Sequence, residues 1–152
     1  VKIIPEYERK SNGYTPYKDY FGENLIDEES KHSITIKTSS EKDVVILLVD
    51  VNTGSPIRNV YVNKGTSFKM DKIPNGKYYV KSYQGNYWSS KIIKNGRKGG
   101  FQMNEKFIKD VDENDLWILR AGYKMRGSFT LYGTKDGTLE TEEISSDEFF
   151  RN

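Results

Sequence analysis

Residues 33–38 set apolar Ile34 and Ile36 against polar Thr35 and Lys37, the period-two alternation of a strand with one buried face. Residues 43–51 are apolar on both faces and predict a central strand. The cluster Asn52-Thr53-Gly54-Ser55-Pro56 reads as a turn, and residues 57–63 resume as a strand with Val60, Tyr61 and Val62. Lys64-Gly65 turns the chain into residues 66–71, and Ile73-Pro74-Asn75-Gly76 turns it into residues 77–83. Short strands recurring every ~8–12 residues are the signature of a sandwich or barrel.

Beyond a long interruption the pattern continues. Residues 101–108 place Phe101 and Met103 on one face, residues 116–119 form a short apolar strand, and residues 123–132 alternate again. Asp136-Gly137 is a hairpin turn leading into residues 138–144, and Ser146-Asp147-Glu148-Phe149-Phe150 reads as one capped helical turn. Two stretches lack a period. Residues 1–32 carry Tyr14, Tyr17, Tyr20 and Phe21 among Pro16 and Gly22 and read as a strap lying across the sandwich. Residues 85–100, rich in Gly, Asn, Ser and Lys, read as a long loop. The expectation is an all-β chain: a single antiparallel β-sandwich at 33–152 of about seven to nine strands, with an N-terminal strap at 1–32 and a short C-terminal helical turn.

Composition sharpens this picture without changing it. With 152 residues the chain is long enough for one domain with a proper core. Apolar residues are only 35%, yet eleven Tyr, seven Phe and two Trp give few but large groups, suited to strands with one wet face. The absence of cysteine removes disulfides, thiolate zinc sites and thiol nucleophiles. No apolar run is long enough for a membrane-crossing helix. The chain begins at Val1, which leaves room for a removed signal, anchor or further domain. Charge is uneven. Residues 1–32 carry five basic against seven acidic side chains, residues 33–109 fourteen against five, and residues 110–152 five against ten. A basic middle and an acidic end suit two surfaces of one fold attracting each other, or a basic patch for an anionic partner.

Ile73-Pro74-Asn75-Gly76-Lys77-Tyr78-Tyr79-Val80-Lys81, preceded by Val45-Ile46-Leu47-Leu48-Val49-Asp50 and Thr53-Gly54-Ser55-Pro56-Ile57, resembles the strand entry of transthyretin-like, or carboxypeptidase-regulatory-like, domains. Pro sets the turn's φ, Gly supplies its positive φ, and Tyr78 and Val80 are expected to point inward. The resemblance covers about residues 34–85. The remainder is similar to bacterial proteins that bring no activity with them. What the resemblance implies is a sandwich used for adhesion, folding support or docking, with no active site.

Candidate chemistry is sparse. His32, the only histidine, lies in a charged turn with no nucleophile elbow elsewhere, and is expected to be a solvent-exposed bystander. The acidic run from Asp110 to Asp115 matches the first calcium-loop positions but has Asp115 where Gly is required and Ala121 where Glu is required, so a solvated turn is expected. Asn95-Gly96-Arg97-Lys98-Gly99-Gly100 lacks the spacing of a phosphate loop. No enzyme, metal or cofactor is expected.

Two surfaces remain as candidate binding sites. One is an outward aromatic strip, Tyr79, Lys81 and Tyr83 continuing to Tyr87 and Trp88, which would otherwise be covered by the strap as a second small core. The other is the basic loop with Lys91, Lys94, Arg97 and Lys98. They point to a non-catalytic protein-interaction or scaffold module, part of a larger membrane-anchored or exported bacterial protein in an extracytoplasmic setting. The alternatives are a carbohydrate-binding module and an inhibitor or immunity-type protein. A protein partner is favoured, carbohydrate is the second choice, nucleic acid is disfavoured, and a membrane is reached only through a missing anchor.

Overall fold

The computed structural model describes residues 7–110, 117–120, 126–131 and 141–151. In chain order these form α1 (Lys18–Phe21), β1 (Ser33–Thr38), β2 (Asp43–Asp50), β3 (Pro56–Val62), β4 (Ser67–Met70), β5 (Gly76–Lys94), β6 (Arg97–Asp110), β7 (Trp117–Leu119), β8 (Arg126–Leu131), β9 (Thr141–Glu143) and α2 (Ser146–Phe150). The expected all-β sandwich is what forms. A small sheet of order β4-β1-β8 faces a large one of order β3-β2-β5-β6-β9, with β7 paired to the start of β5. Every described pair is antiparallel except β1 with β8, which run parallel. Alternation along a strand fixes its faces and not its direction, so this pair departs from the antiparallel expectation.

The apolar pattern explains the layers. In β2, Val44, Ile46 and Leu48 face the small sheet and join Ile34, Ile36, Val60, Tyr78 and Val80 in the inner core. Val45, Leu47 and Val49 project from the other face, where a second buried cluster gathers Tyr17, Tyr61, Tyr83, Trp88, Phe101, Phe149 and Phe150. The large sheet is therefore covered on both sides, by the small sheet and by the strap with α2. Tyr78 and Val80 point inward as expected, and the Tyr78 hydroxyl donates to the Pro74 carbonyl at 2.8 Å.

The strap also covers an edge. Gly13 N donates to Tyr61 O and Tyr61 N to Tyr14 O, Leu25 N donates to Ile57 O, and the Asn24 and Asn12 side chains accept from Asn59 N and Asn63 N. These bonds satisfy backbone groups of β3 that an uncovered edge strand would offer to another chain.

Two further expectations are corrected. Residues 85–100 are not a loop: β5 and β6 run through them as a two-stranded ribbon that turns at Asn95-Gly96. Both tip residues have positive φ, 51° and 80°, as a tight two-residue hairpin demands. The glycines that suggest a loop instead make room for rings. A Cβ on Gly85 would lie 2.5 Å from Phe101 Cβ, and one on Gly99 2.5 Å from Trp88 Cζ2. His32 is not solvent-exposed: it is buried, with Nε2 and Asn75 Oδ1 2.7 Å apart, because the strap ends by tucking under the Ile73–Asn75 turn. Most of the acidic calcium-like run, and the Asp136-Gly137 turn, lie outside the described residues. Among the described residues, no helix is long and apolar enough to cross a membrane.

Candidate functional site

The predicted aromatic strip does not lie open. Tyr83 and Trp88 are sealed, Trp88 with 1% of its surface exposed, between β3, β5, β6 and the strap. Trp88 meets Tyr17, Tyr61 and Phe101 at ring-centroid distances of 5.8, 5.6 and 5.1 Å. Tyr83 stacks on Phe107 at 4.3 Å, accepts from Phe101 N at 2.8 Å and donates to Glu105. The outward reading fails for these two because a face that alternation leaves polar or aromatic is here roofed by segments far along the chain. The alternative stated for the strip, a second core under the strap, is the one observed.

Lys81 is buried as well. Its ammonium donates to the Glu148 carbonyl at 2.7 Å, and desolvation holds its pKa below the usual lysine range. Its cross-strand neighbour Lys109 pairs with Glu148 at 2.7 Å and Glu142 at 3.6 Å. The basic middle and acidic end of the chain thus meet at α2. Tyr79 is half-buried beside them, its phenol pushed up by desolvation.

The other predicted residues fall into two places. At the ribbon tip, Lys94 bridges Glu105 at 2.9 Å, and the Arg97 guanidinium lies 3.7 Å from the centroid of Tyr20 and 5.4 Å from that of Phe150 while donating to Asn95 O. Lys98 is exposed. With Tyr14, Pro16 and Tyr20 of the strap, Arg97 and Lys98 line a groove of about 640 Å³. Ile93, on the same ribbon, is 60% exposed.

Tyr87 is the one aromatic of the predicted strip that remains open, at 41% exposure. It lies against Tyr7, itself 42% exposed, edge to face at 5.1 Å. Both stand on the rim of a cleft of about 530 Å³ whose wall includes Asn12, Asp43, Asn63 and Asn86. Reading by periodicity misses Tyr7 and Tyr14 as exposed aromatics and Tyr20 as the ring beneath Arg97, since the strap has no period. The dipeptide Asn95-Gly96 is the signal that could have placed Arg97 and Lys98 on a two-stranded ribbon instead of a loop.

Glu8 ties the strap to this ribbon. Its backbone N donates to Trp88 O at 2.7 Å, and its Oε2 accepts from Ser90 N and Ser90 Oγ at 2.5 and 2.6 Å. Those two bonds, with the side-chain one larger, lower its pKa to about 2. Among the described residues, no group of three or more His, Asp or Glu side chains is placed to hold a metal ion. The chain matches no family model, no curated protein and no solved structure.

Proposed function

We propose that this chain is a non-catalytic interaction module that docks an acidic segment of a partner protein in the groove between the strap and the β5–β6 tip. The observation that carries the reading is Arg97, held over the Tyr20 ring on the β5–β6 hairpin beside exposed Lys98. A guanidinium packed on a ring keeps its edge donors for a carboxylate, and its geometry is fixed before binding. Tyr14 and Ile93 supply apolar contact area next to the cations. The partner is acidic by complementarity, since the groove is lined by Arg97 and Lys98 against one acid, Asp19. An extracytoplasmic setting, within a larger exported or anchored protein, belongs to the same proposal. A chain without cysteine is indifferent to the redox state of that compartment.

Selection from a random peptide display library on the intact domain tests this. Acidic peptides with an apolar residue should be enriched, and Tyr14→Ala and Lys98→Glu should each weaken them about tenfold or more at unchanged Tm. Enriched peptides without acidic character, or binding that both variants leave intact, would overturn it.

A further inference from the structure

We infer that the cleft between Tyr7 and Tyr87 is a binding site for a neutral saccharide. It shares no lining residue with the ribbon-tip groove, so it is a second site and stands independently of the first.

The backbone of Tyr87 takes an unusual conformation. Its φ is 63°, the left-handed region where a bulky side chain is a strained outlier. The bend of the ribbon creates the need: the register of β5 and β6 shifts between Gln84 and Asn86, and Asn104 across the ribbon is left-handed too, at 59°. Asn is a residue that tolerates this conformation, and Gly would adopt it freely. A tyrosine there helps neither the bend nor the core, because its ring is exposed. Strain kept for an exposed aromatic on the rim of a cleft is strain kept for a ligand.

The ring pair fits a sugar. Each ring of an edge-to-face pair keeps at least one face clear of the other; the Arg9 guanidinium lies 5.8 Å over the Tyr7 ring, so Tyr87 offers the π face that attracts the polarised C–H groups on the apolar side of a pyranose. The wall fits it as well. Asn63 donates from its side chain to Lys10 O at 2.7 Å and Asn12 Oδ1 at 2.8 Å, and Asn12 Nδ2 donates to Thr66 Oγ1 at 3.1 Å. Asp43 accepts from Lys64 N at 2.8 Å and from the Tyr61 hydroxyl at 2.5 Å. Asn86 donates to Glu41 O and accepts from Asn104, both at 2.8 Å. These bonds lock each side chain but do not exhaust it. An amide has two N–H donors and two lone pairs, and a carboxylate about four acceptor positions. What remains is one N–H each on Asn12 and Asn86 and acceptor positions on Asn63, Asn86 and Asp43, held in place by the bonds already made and of both kinds that vicinal hydroxyls require.

Charge selects against other ligands. The cleft is lined by two acids, Glu8 and Asp43, and two bases, Arg9 and Lys64, which leaves no excess to favour a phosphate or an acidic peptide. The neighbouring edge of β3, which an extended peptide would seek, is already taken by the strap. The volume, about 530 Å³, lies in the ordinary range for small-ligand sites.

A panel of neutral oligosaccharides (glucans, xylans, mannans and galactans) screened by calorimetry against the intact chain, with heparin oligosaccharides as the anionic arm, tests the assignment. At least one neutral member should bind, and Tyr87→Gly should weaken it about tenfold or more while holding or raising Tm, since glycine relieves the positive φ. Tyr7→Ala, free of that backbone constraint, should weaken the same ligand, and Lys98→Glu should leave it unchanged. No neutral binder, or a neutral binder indifferent to both tyrosine variants, overturns the site. So does binding confined to heparin and lost in Lys98→Glu, which would assign the ligand to the ribbon tip.

Discussion

The inner core and the outer aromatic layer occupy opposite faces of one sheet and are made of different chemistry. Between the sheets lie mostly branched aliphatics, Ile34, Ile36, Val44, Ile46, Val60 and Val62 among them, supplied by strands close in sequence. The outer layer is ring upon ring, from positions as distant as Tyr17 and Phe150, which meet at 4.9 Å. Its rings carry polar handles. Tyr17 donates to Gly99 O at 2.8 Å, Tyr20 to Phe150 O at 2.9 Å and Tyr83 to Glu105. The inner core is held by area, with the Tyr78 hydroxyl bonded to Pro74 O at its border, and the outer layer by area plus several buried tyrosine hydrogen bonds. It follows that the outer layer is where small changes in geometry or protonation should act first, and both proposed sites are built on its margin.

Removing the centre of the outer layer has the largest expected effect. Trp88→Ala should cost about 3–5 kcal/mol, as for other buried aromatics, against about 2–5 kcal/mol for Ile46→Ala inside the sandwich. Urea denaturation followed by circular dichroism compares them. A single transition with unchanged slope in both variants would make the two layers one cooperative unit. A biphasic curve for Trp88→Ala alone would break that unity, leaving a sandwich that stands without its roof.

A smaller effect separates room for a ring from freedom of the backbone. Gly99 has φ 111°, and a Cβ there would press on Trp88; Gly54 has φ 75° with nothing within 4 Å. Gly54→Ala should cost about 1–2 kcal/mol for the left-handed conformation alone. Gly99→Ala adds overpacking of about 1–3 kcal/mol. Equal shifts in Tm for the two variants would show that the outer layer yields easily around Trp88.

The same contrast decides what was legible in the sequence. The alternation at Ile34 and Ile36 and the unbroken apolar run of β2 report burial directly, so the sandwich can be read from the residues. Burial of Tyr83, Trp88 and Lys81 cannot, because period two says only that they leave the sheet on one face. Whether that face meets water depends on Tyr17 and Phe150, from opposite ends of the chain. Gly99 and Gly100 misled for a related reason: their lack of a side chain serves the neighbouring rings Trp88 and Tyr83 and side chain Ile92, which is invisible without the partners. Of the candidate residues, those whose roles depend on local turn chemistry, Arg97 and Lys98 beside Asn95-Gly96, were within reach. Tyr7 was not, since nothing near it in sequence marks it as the partner of Tyr87.

The smallest effect concerns the latch between strap and ribbon, and it is set by pH. The two Ser90 bonds favour the ionised Glu8 carboxylate, lowering its pKa from 4.5 to about 2. A group depressed in this way contributes its stabilisation in full above the unfolded value and loses it as pH falls through the folded one. The latch is therefore intact above pH 4.5 and opens towards pH 2. The Glu8 side chain is 34% exposed, so the contribution is that of a partly screened surface interaction, about 1 kcal/mol or less. Its readout is local. Hydrogen exchange at Glu8 N, bonded to Trp88 O, and at Ser90 N should quicken between pH 4.5 and 2, after correction for intrinsic rates, while Val45 and Leu47 in β2 hold their protection. Glu8→Gln should show the quickened exchange already at neutral pH and flatten the acid dependence. Uniform loss of protection across strap and β2 would mean that the strap leaves only when the whole fold does, and the division into a robust interior and a responsive outer layer would fall with it.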